Sequence, residues 1–342
     1  MEKVRYIQPE SFHESALDDY VSIWKQQGFL LFSDLIPSDL FASALSEVNK
    51  VFPPSLDEKT IEDKAFRADF GSNGLLEFPC PFPNVNQLSL AKPILQLSKR
   101  LLNTDEIRLI QADVWAKYGS KSSFSDEDNR DQRMHMDFGN NTLLHPPSWN
   151  KPEAVACIIS FDHTQSCGGG TALVPREGDD DEAYQLPYMK MPGMSDYPWF
   201  NDRSKELSYF KEHHPHIYEF RTRLYGREFV ANYKPGTILF YRHDLWHRGT
   251  PLVPGKIRRV QNLGFKRADC DWVTTWNPGW VRSMYDKGRY VEKLLPKLTI
   301  EQRSCLGFPK PGSSYWTPEN FESVRARWEP WGMDLSPYKP EL

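Results

Sequence analysis

Residues 228–266 read EFVANYKPGTILFYRHDLWHRGTPLVPGKIRRVQNLGFK. Short apolar runs separated by Gly and Pro turns give a strand over 228–233, a second over 236–241, a loop over 243–251, and a third strand from 256 to about 266. The same grammar holds further up the chain. Residues 107–117 alternate as a strand, 154–161 form a buried strand, and 171–174 another, entered through Gly168-Gly169-Gly170 and closed by Pro175. Short strands of this kind after a helical N-terminal region imply a double-sheet jelly roll, not a parallel sheet. No internal repeat is visible.

Upstream, Leu17, Tyr20, Val21 and Trp24 fall at i, i+3, i+4 and i+7, with Ser15 and Asp18 spaced as a capping box and Gly28 as a stop. An apolar strand over 29–32 follows. Pro37-Ser38 then opens a second helix, whose face is Leu40, Phe41, Ala44, Leu45 and Val48. Residues 52–87, rich in Pro, Gly and Asn, read as a covering loop, and a helix is expected from about 89 to 102.

The chain has 342 residues and a formal net charge of -4 with both signs interspersed, which gives neither a nucleic-acid nor a membrane-surface footprint. The expected partner is a small-molecule substrate, acted on by a monomer or homodimer. Cys80, Cys157, Cys167, Cys270 and Cys305 form an odd, scattered set without a C-x-x-C pair, as expected of reduced, buried thiols in a cytoplasmic protein. No signal-peptide core and no run of 18 apolar residues is present. Six of the eleven tryptophans lie after residue 270. That asymmetry divides the chain into a catalytic domain over 1–270 and an aromatic, Pro-rich extension over 271–342, with helix starts at Thr299 and at Thr317-Pro318.

The chemistry is organised around Arg133-Met134-His135-Met136-Asp137. In extended chain, positions i and i+2 share a face, so the His135 imidazole and the Asp137 carboxylate converge. His247, at the mouth of a strand, is the best third ligand; His243, four residues earlier, is its rival and is read as a group outside the ligand set. Two imidazoles and one carboxylate on one face of an ion leave three positions open, the arrangement used by non-haem Fe(II) oxygenases. Three open positions fit a bidentate 2-oxo acid plus O2. The far carboxylate of a 2-oxo diacid needs a fixed cation, and Arg258 on the next strand has the planar fork for it. Arg259 points to the opposite face, with Ile257, Leu263 and Phe265.

Other features have plainer readings. The triple glycine lacks a following Lys-Ser/Thr and is a tight turn. Residues 178–182, Gly-Asp-Asp-Asp-Glu, form a solvated loop, and His213, His214 and His216 around Pro215 mark an exposed helix junction within a helical stretch from 203 to about 225. The aromatic and Met-rich run over 187–200 reads equally as a lid or as core packing.

The series His135-x-Asp137, His247 and Arg258, with Tyr20-x7-Gly28-Phe-Leu-Leu-Phe-Ser-Asp-Leu and Gly169-Gly-Thr-Ala-Leu-Val-Pro-Arg, resembles the phytanoyl-CoA dioxygenase family of Fe(II)/2-oxoglutarate oxygenases. The resemblance spans roughly 15–268. It implies a mainly β fold with flanking α, with a double-stranded β-helix (jelly roll, cupin-like) core between N-terminal helices and a C-terminal extension. It also implies Fe(II), 2-oxoglutarate and O2, with succinate and CO2 as coproducts of a C–H hydroxylation. Residues 111–117 are similar to the Gln-x5-Lys strand of the ectoine hydroxylase branch. That similarity assigns Lys117 to the 2-oxoglutarate carboxylate and Gln111 to substrate. Asp137 keeps the carboxylate position filled, which sets a halogenase aside. The loop over 140–147, the run over 187–200 and the C-terminal extension have no counterpart in the family pattern, and no substrate carries over. Two further readings are a catalytically inactive metal-binding scaffold and a cupin-like metalloenzyme that does not use 2-oxoglutarate.

Overall fold

A computed structural model describes residues 8–65, 73–119, 132–137, 149–184, 203–270 and 290–340, the last apart from scattered positions between 315 and 327. In chain order the elements are α1 (Leu17–Gln27), β1 (Phe29–Phe32), α2 (Ser38–Val51), α3 (Glu58–Ala65), β2 (Leu76–Glu77), α4 (Pro83–Ser89), α5 (Lys92–Leu102), β3 (Ile107–Tyr118), β4 (Ala154–Ser160) and β5 (Thr171–Leu173). They continue with α6 (Arg203–His213), α7 (Pro215–Arg227), β6 (Phe229–Ala231), β7 (Ile238–Arg242), β8 (His247–Gly249), β9 (Ile257–Arg267) and α8 (Ile300–Cys305).

Two antiparallel sheets result. The larger has the order β1-β7-β4-β9-β3-β2, the smaller β6-β5-β8. Because side chains alternate across a strand, each long strand of the large sheet serves two cores. Leu30, Phe32, Val114, Ala116, Cys157, Ile159, Ile238 and Phe240 pack toward the helices. Phe29, Leu31, Trp115, Ala156, Ile158, Leu239, Tyr241 and Val260 share the other core with Leu173 and Ala231 of the small sheet. Burial on both faces is why these strands read as continuous apolar runs and not as polar–apolar alternation.

Several local expectations are revised. Ser15 is drawn into a 3-10 turn over Glu14–Ala16, so α1 starts without a side-chain cap and the capping box does not form. Gly28 does stop α1, at φ 95°, and a Cβ there would lie 2.6 Å from Leu245 Cδ1. The expected covering loop over 52–87 contains α3, β2 and α4. Asp57 opens α3 by accepting from the Thr60 N–H (2.9 Å) and hydroxyl (2.7 Å). Pro83 sits in the first turn of α4, where its missing N–H costs nothing. Glu47 of α2 accepts the Asn84 and Val85 N–H groups at 2.9 and 3.0 Å. The helix expected over about 89–102 is α5, which starts three residues later, at Lys92, with Pro93 in its first turn. The helix junction expected at Pro215 is present, but α7 runs through Gly226 to Arg227 instead of ending near 225.

The described residues after 290 pack on the helix side. Leu294, Leu295, Leu298, Trp316, Trp328 and Tyr338 join that core. Thr299 makes the anticipated capping box with Gln302. All five cysteines are free and buried. Among the described residues no helix is long and apolar enough to cross a membrane. Residues 120–131, the segment expected as a loop over 140–147, the run over 187–200, residues 271–289 and Thr317 lie outside the described residues.

Candidate metal centre

His135 and His247 meet as partners in an antiparallel bridge at the edge of the small sheet. His135 N–H donates to the His247 carbonyl at 3.0 Å, and His247 N–H donates back to the His135 carbonyl at 2.9 Å. Directly opposed residues of an antiparallel pair project to one side, so the rings lie with centroids 4.4 Å apart. Asp137, two positions on, brings its Oδ1 to 3.7 Å from His135 Nε2 and its Oδ2 to 3.5 Å from His247 Nε2. Among the described residues these three are the one group of His, Cys, Asp or Glu able to share an ion.

The rings are aimed. His135 Nδ1 is 3.0 Å from the Arg133 carbonyl and His247 Nδ1 is 2.9 Å from the Leu245 carbonyl. A carbonyl can only accept, so each Nδ1 carries the proton and each Nε2 presents a lone pair toward Asp137. Fixing a ligand imidazole through its other nitrogen is the usual way a protein holds a metal-binding tautomer. Tyr241 of β7 donates its hydroxyl to Asp137 Oδ2 at 2.7 Å and fixes the carboxylate in the same way.

Burial, and then the neighbouring His247, bring the His135 imidazole down to about 3, against the pull of Asp137. Burial pushes the Asp137 carboxyl up, but the imidazoles of His247, His135 and His243 and the Tyr241 hydroxyl outweigh it and hold the group below its ordinary range. A neutral imidazole and an ionised carboxylate are the forms a metal needs. His243 is buried beside the site, its Nδ1 has no hydrogen-bond partner among the described residues, and burial disfavours its protonation. It stands outside the three-residue group.

Arg258 and Arg259 part as alternation requires. Arg259 pairs with Asp162 (2.6 and 3.0 Å) and donates to Asn49 and the Phe52 carbonyl, on the helix side. Arg258 lies on the inter-sheet face, 6 % exposed, with its guanidinium 5.4 Å from the Trp115 ring centroid and Nη1 donating to the Gly169 carbonyl. It forms no ion pair among the described residues, and its buried Nε has no partner. Gly169, at φ 71°, is required where it is. A Cβ there would lie 2.9 Å from Arg258 Cδ.

Lys117 is the direct cross-strand partner of Arg258 and is buried in the same row. Gln111, three rows along β3, donates its Nε2 to both oxygens of Asp113 at 3.0 and 3.3 Å. Asp113 itself is buried, and that burial raises its carboxyl to about 7 despite the Gln111 bond. Among the residues with plainer readings, His213 and His216 are exposed at the α6–α7 junction. In the acidic loop Asp181 is not simply solvated, since Arg227 donates to both its oxygens at 3.0 and 2.6 Å.

Two groups escaped sequence reasoning. Tyr241 sits in an apolar run, and only its place two residues before His243 on the inner face of β7 could have marked it. Glu206 and Arg221, buried behind His135 with the half-buried Tyr225 beside them, come from a charged helical stretch whose junction was expected to be exposed.

No protein-family model matches the chain, and no curated protein matches it. Solved structures do. The epimerase SnoN, in a complex with Fe3+, alpha-ketoglutarate and nogalamycin RO, is 13% identical, with a TM-score of 0.47 over 75% of this chain and 85% of that one. The apoform of EctD from S. alaskensis is 16% identical, with a TM-score of 0.48 over 77% and 82%. SnoK, a non-heme alpha-ketoglutarate-dependent carbocyclase from nogalamycin biosynthesis, is 13% identical, with a TM-score of 0.47 over 76% and 87%. Likeness this distant carries no chemistry across; what the site can do follows from its own side chains.

Proposed function

We propose that the chain is an Fe(II)- and 2-oxoglutarate-dependent dioxygenase on a double-stranded β-helix core, hydroxylating an unactivated C–H of a small molecule. The observation that carries this reading is the convergence of His135 Nε2, His247 Nε2 and an Asp137 oxygen, with both Nδ1 atoms tied to main-chain carbonyls. Cis ligands about 2.1 Å from one ion are roughly 3 Å apart. Here one ligand atom from each of the three residues lies within 4.8 Å of the others, so an ion would draw them inward from that spacing.

Arg258 supports the cosubstrate. A guanidinium stays charged, and a buried charge without a counter-ion is costly. Among the described residues Arg258 is such a cation, with no partner on its Nε, on the same inter-sheet face as Trp115. A dicarboxylate placed against it supplies the missing anion. Lys117 in the same row adds positive charge at that end. Iron and 2-oxoglutarate, when bound with O2, supply the oxidising power for C–H cleavage, with release of succinate and CO2.

The protein's own part is positional. His135, His247 and Asp137 would hold the iron from one side, while Tyr241, donating to Asp137 Oδ2, keeps that carboxylate turned toward the imidazoles. Trp115, Ala156, Ile158 and Leu239 line the inter-sheet core and keep it apolar. Gln111 and Asp113 offer polar contacts to substrate further along β3.

The test is iron-dependent succinate release from 2-oxoglutarate by wild type and by Asp137→Ala, stimulated by fractions of a metabolite extract and followed by mass detection of one added oxygen. Release that needs Asp137 and iron supports the proposal. Turnover unchanged in Asp137→Ala overturns it, and activity independent of Arg258 and of 2-oxoglutarate points to a different metalloenzyme.

A further inference from the structure

Behind the strand that carries His135 lies an ionic cluster with no exposure to solvent. Glu206, in the first turn of α6, and Arg221, on α7, are each 0 % exposed, as is Arg133, two residues before His135. Glu206 Oε1 is 3.8 Å from Arg133 Nη1 and 3.7 Å from Arg221 Nη2. Its Oε2 accepts the Tyr225 hydroxyl proton at 3.1 Å. The Tyr225 oxygen in turn accepts the Met134 N–H at 2.9 Å, and Arg221 Nη1 donates to the Met134 carbonyl. Both main-chain polar groups of Met134 therefore end on α7. On either side of that residue stand the Arg133 carbonyl that orients His135 Nδ1, and His135 itself.

We infer that Glu206 is a positioning residue for the metal centre: by pairing Arg133 with Arg221 and orienting Tyr225, it fixes the Met134 main chain and, through it, the direction of His135 Nε2. This inference rests on reading His135, Asp137 and His247 as metal ligands.

The charge balance gives Glu206 its leverage. Arginines do not release their protons, so losing the carboxylate removes an anion from between two buried guanidiniums, 3.8 and 3.7 Å from it, behind a site meant for a dication. Burial drives the Glu206 carboxyl upward, whereas Arg221, Arg133 and the Tyr225 hydroxyl oppose that drive. Arg221 and Tyr225 are held in the helix, so the loss is felt at Met134, whose N–H and carbonyl both end on them. A shift there turns the carbonyl that aims His135. Residues that orient metal ligands through one hydrogen bond typically change affinity or activity by 10–100-fold when lost.

The test uses the full chain, metal-free, titrated with Co(II) and followed by its visible d–d absorption, with the melting temperature of each apo variant recorded alongside. Glu206→Gln keeps the volume and removes the charge; it should weaken Co(II) binding by about tenfold or more and alter the band shape. Tyr225→Phe should weaken it by a smaller factor. Asp181→Asn is the control, since Asp181 anchors the end of α7 through Arg227 and touches none of residues 133–135. It should lower the melting temperature yet leave Co(II) affinity within about twofold. Wild-type affinity and spectrum in Glu206→Gln would overturn the inference, as would an equal loss in Asp181→Asn. If Glu206→Gln does not fold, unchanged affinity in Tyr225→Phe overturns it. Absence of Co(II) binding by wild type is a separate result, which removes the metal reading itself.

Discussion

The hydroxyl of Tyr241 donates to Asp137 Oδ2 at 2.7 Å, and its ring centroid lies 4.8 Å from that of His247. One side chain of the large sheet thus touches two of the three residues that converge from the small sheet's edge, and the two sheets are registered at the site itself. Tyr241→Phe removes only the hydroxyl, and metal affinity should fall by roughly tenfold to a hundredfold with the fold retained. Isothermal titration with a divalent ion, beside circular dichroism, checks this; unaltered affinity would show that Asp137 needs no second anchor.

Arg258 should govern the cosubstrate and not the metal. Charged hydrogen bonds contribute about 1.5–3 kcal/mol each, so Arg258→Ala should raise the 2-oxoglutarate KM by at least about tenfold while leaving metal binding unchanged. Arg258→Lys should recover little, because an ammonium cannot reproduce the planar fork. Steady-state kinetics on the two variants measure this directly. A KM unchanged in Arg258→Ala would remove the cosubstrate assignment.

The metal-free protein should lose stability in acid. His135 titrates near 6.5 when unfolded and at about 3 in the fold. Lowering the pH therefore protonates the unfolded chain first. The contribution is fully present above 6.5 and is lost progressively as pH falls toward 3, with a loss of roughly 2 kcal/mol already at pH 5. Urea midpoints at pH 7 and pH 5 report it, and His135→Asn should flatten that slope.

Asp113 has the opposite sign. Its carboxyl is raised from 3.8 to about 7 by burial, so the unfolded chain ionises first as pH rises. The resulting penalty is absent below 3.8, grows between 3.8 and 7, and is complete above 7. Asp113→Asn should stabilise the protein by on the order of 1–3 kcal/mol at pH 8 and by nothing measurable near pH 3.5. An Asn that gives no gain at pH 8 would mean that the carboxylate is compensated in solution.

Much of this site was legible in the chain because it is written in strands. Alternation alone sends Arg258 inward and Arg259 toward the helices, and it sets His135 and Asp137 on one face. The same logic put β6, β7 and β9 close to where they stand, whereas β8 falls inside the expected loop over 243–251. What escaped lies in long-range pairing. Nothing local in the helical stretch after 203 announces that Glu206 and Arg221 will be buried against Arg133. The prolines over 78–83 read as a loop, yet Pro83 opens a helix whose N–H groups are taken by Glu47, a residue of another helix. The capping box at Ser15 failed for the converse reason. A correct local signal was absorbed into a 3-10 turn.

The central claim is that His135, Asp137 and His247 hold iron with positions left open for 2-oxoglutarate, which Arg258 anchors. The most direct measurement is the visible spectrum of the anaerobic protein as Fe(II) and then 2-oxoglutarate are added. The account predicts a weak charge-transfer band that develops only with both present, saturates at one equivalent of iron, and is absent in Asp137→Ala. No band in wild type under saturating iron and 2-oxoglutarate, together with no iron-dependent succinate formation in air, would contradict it.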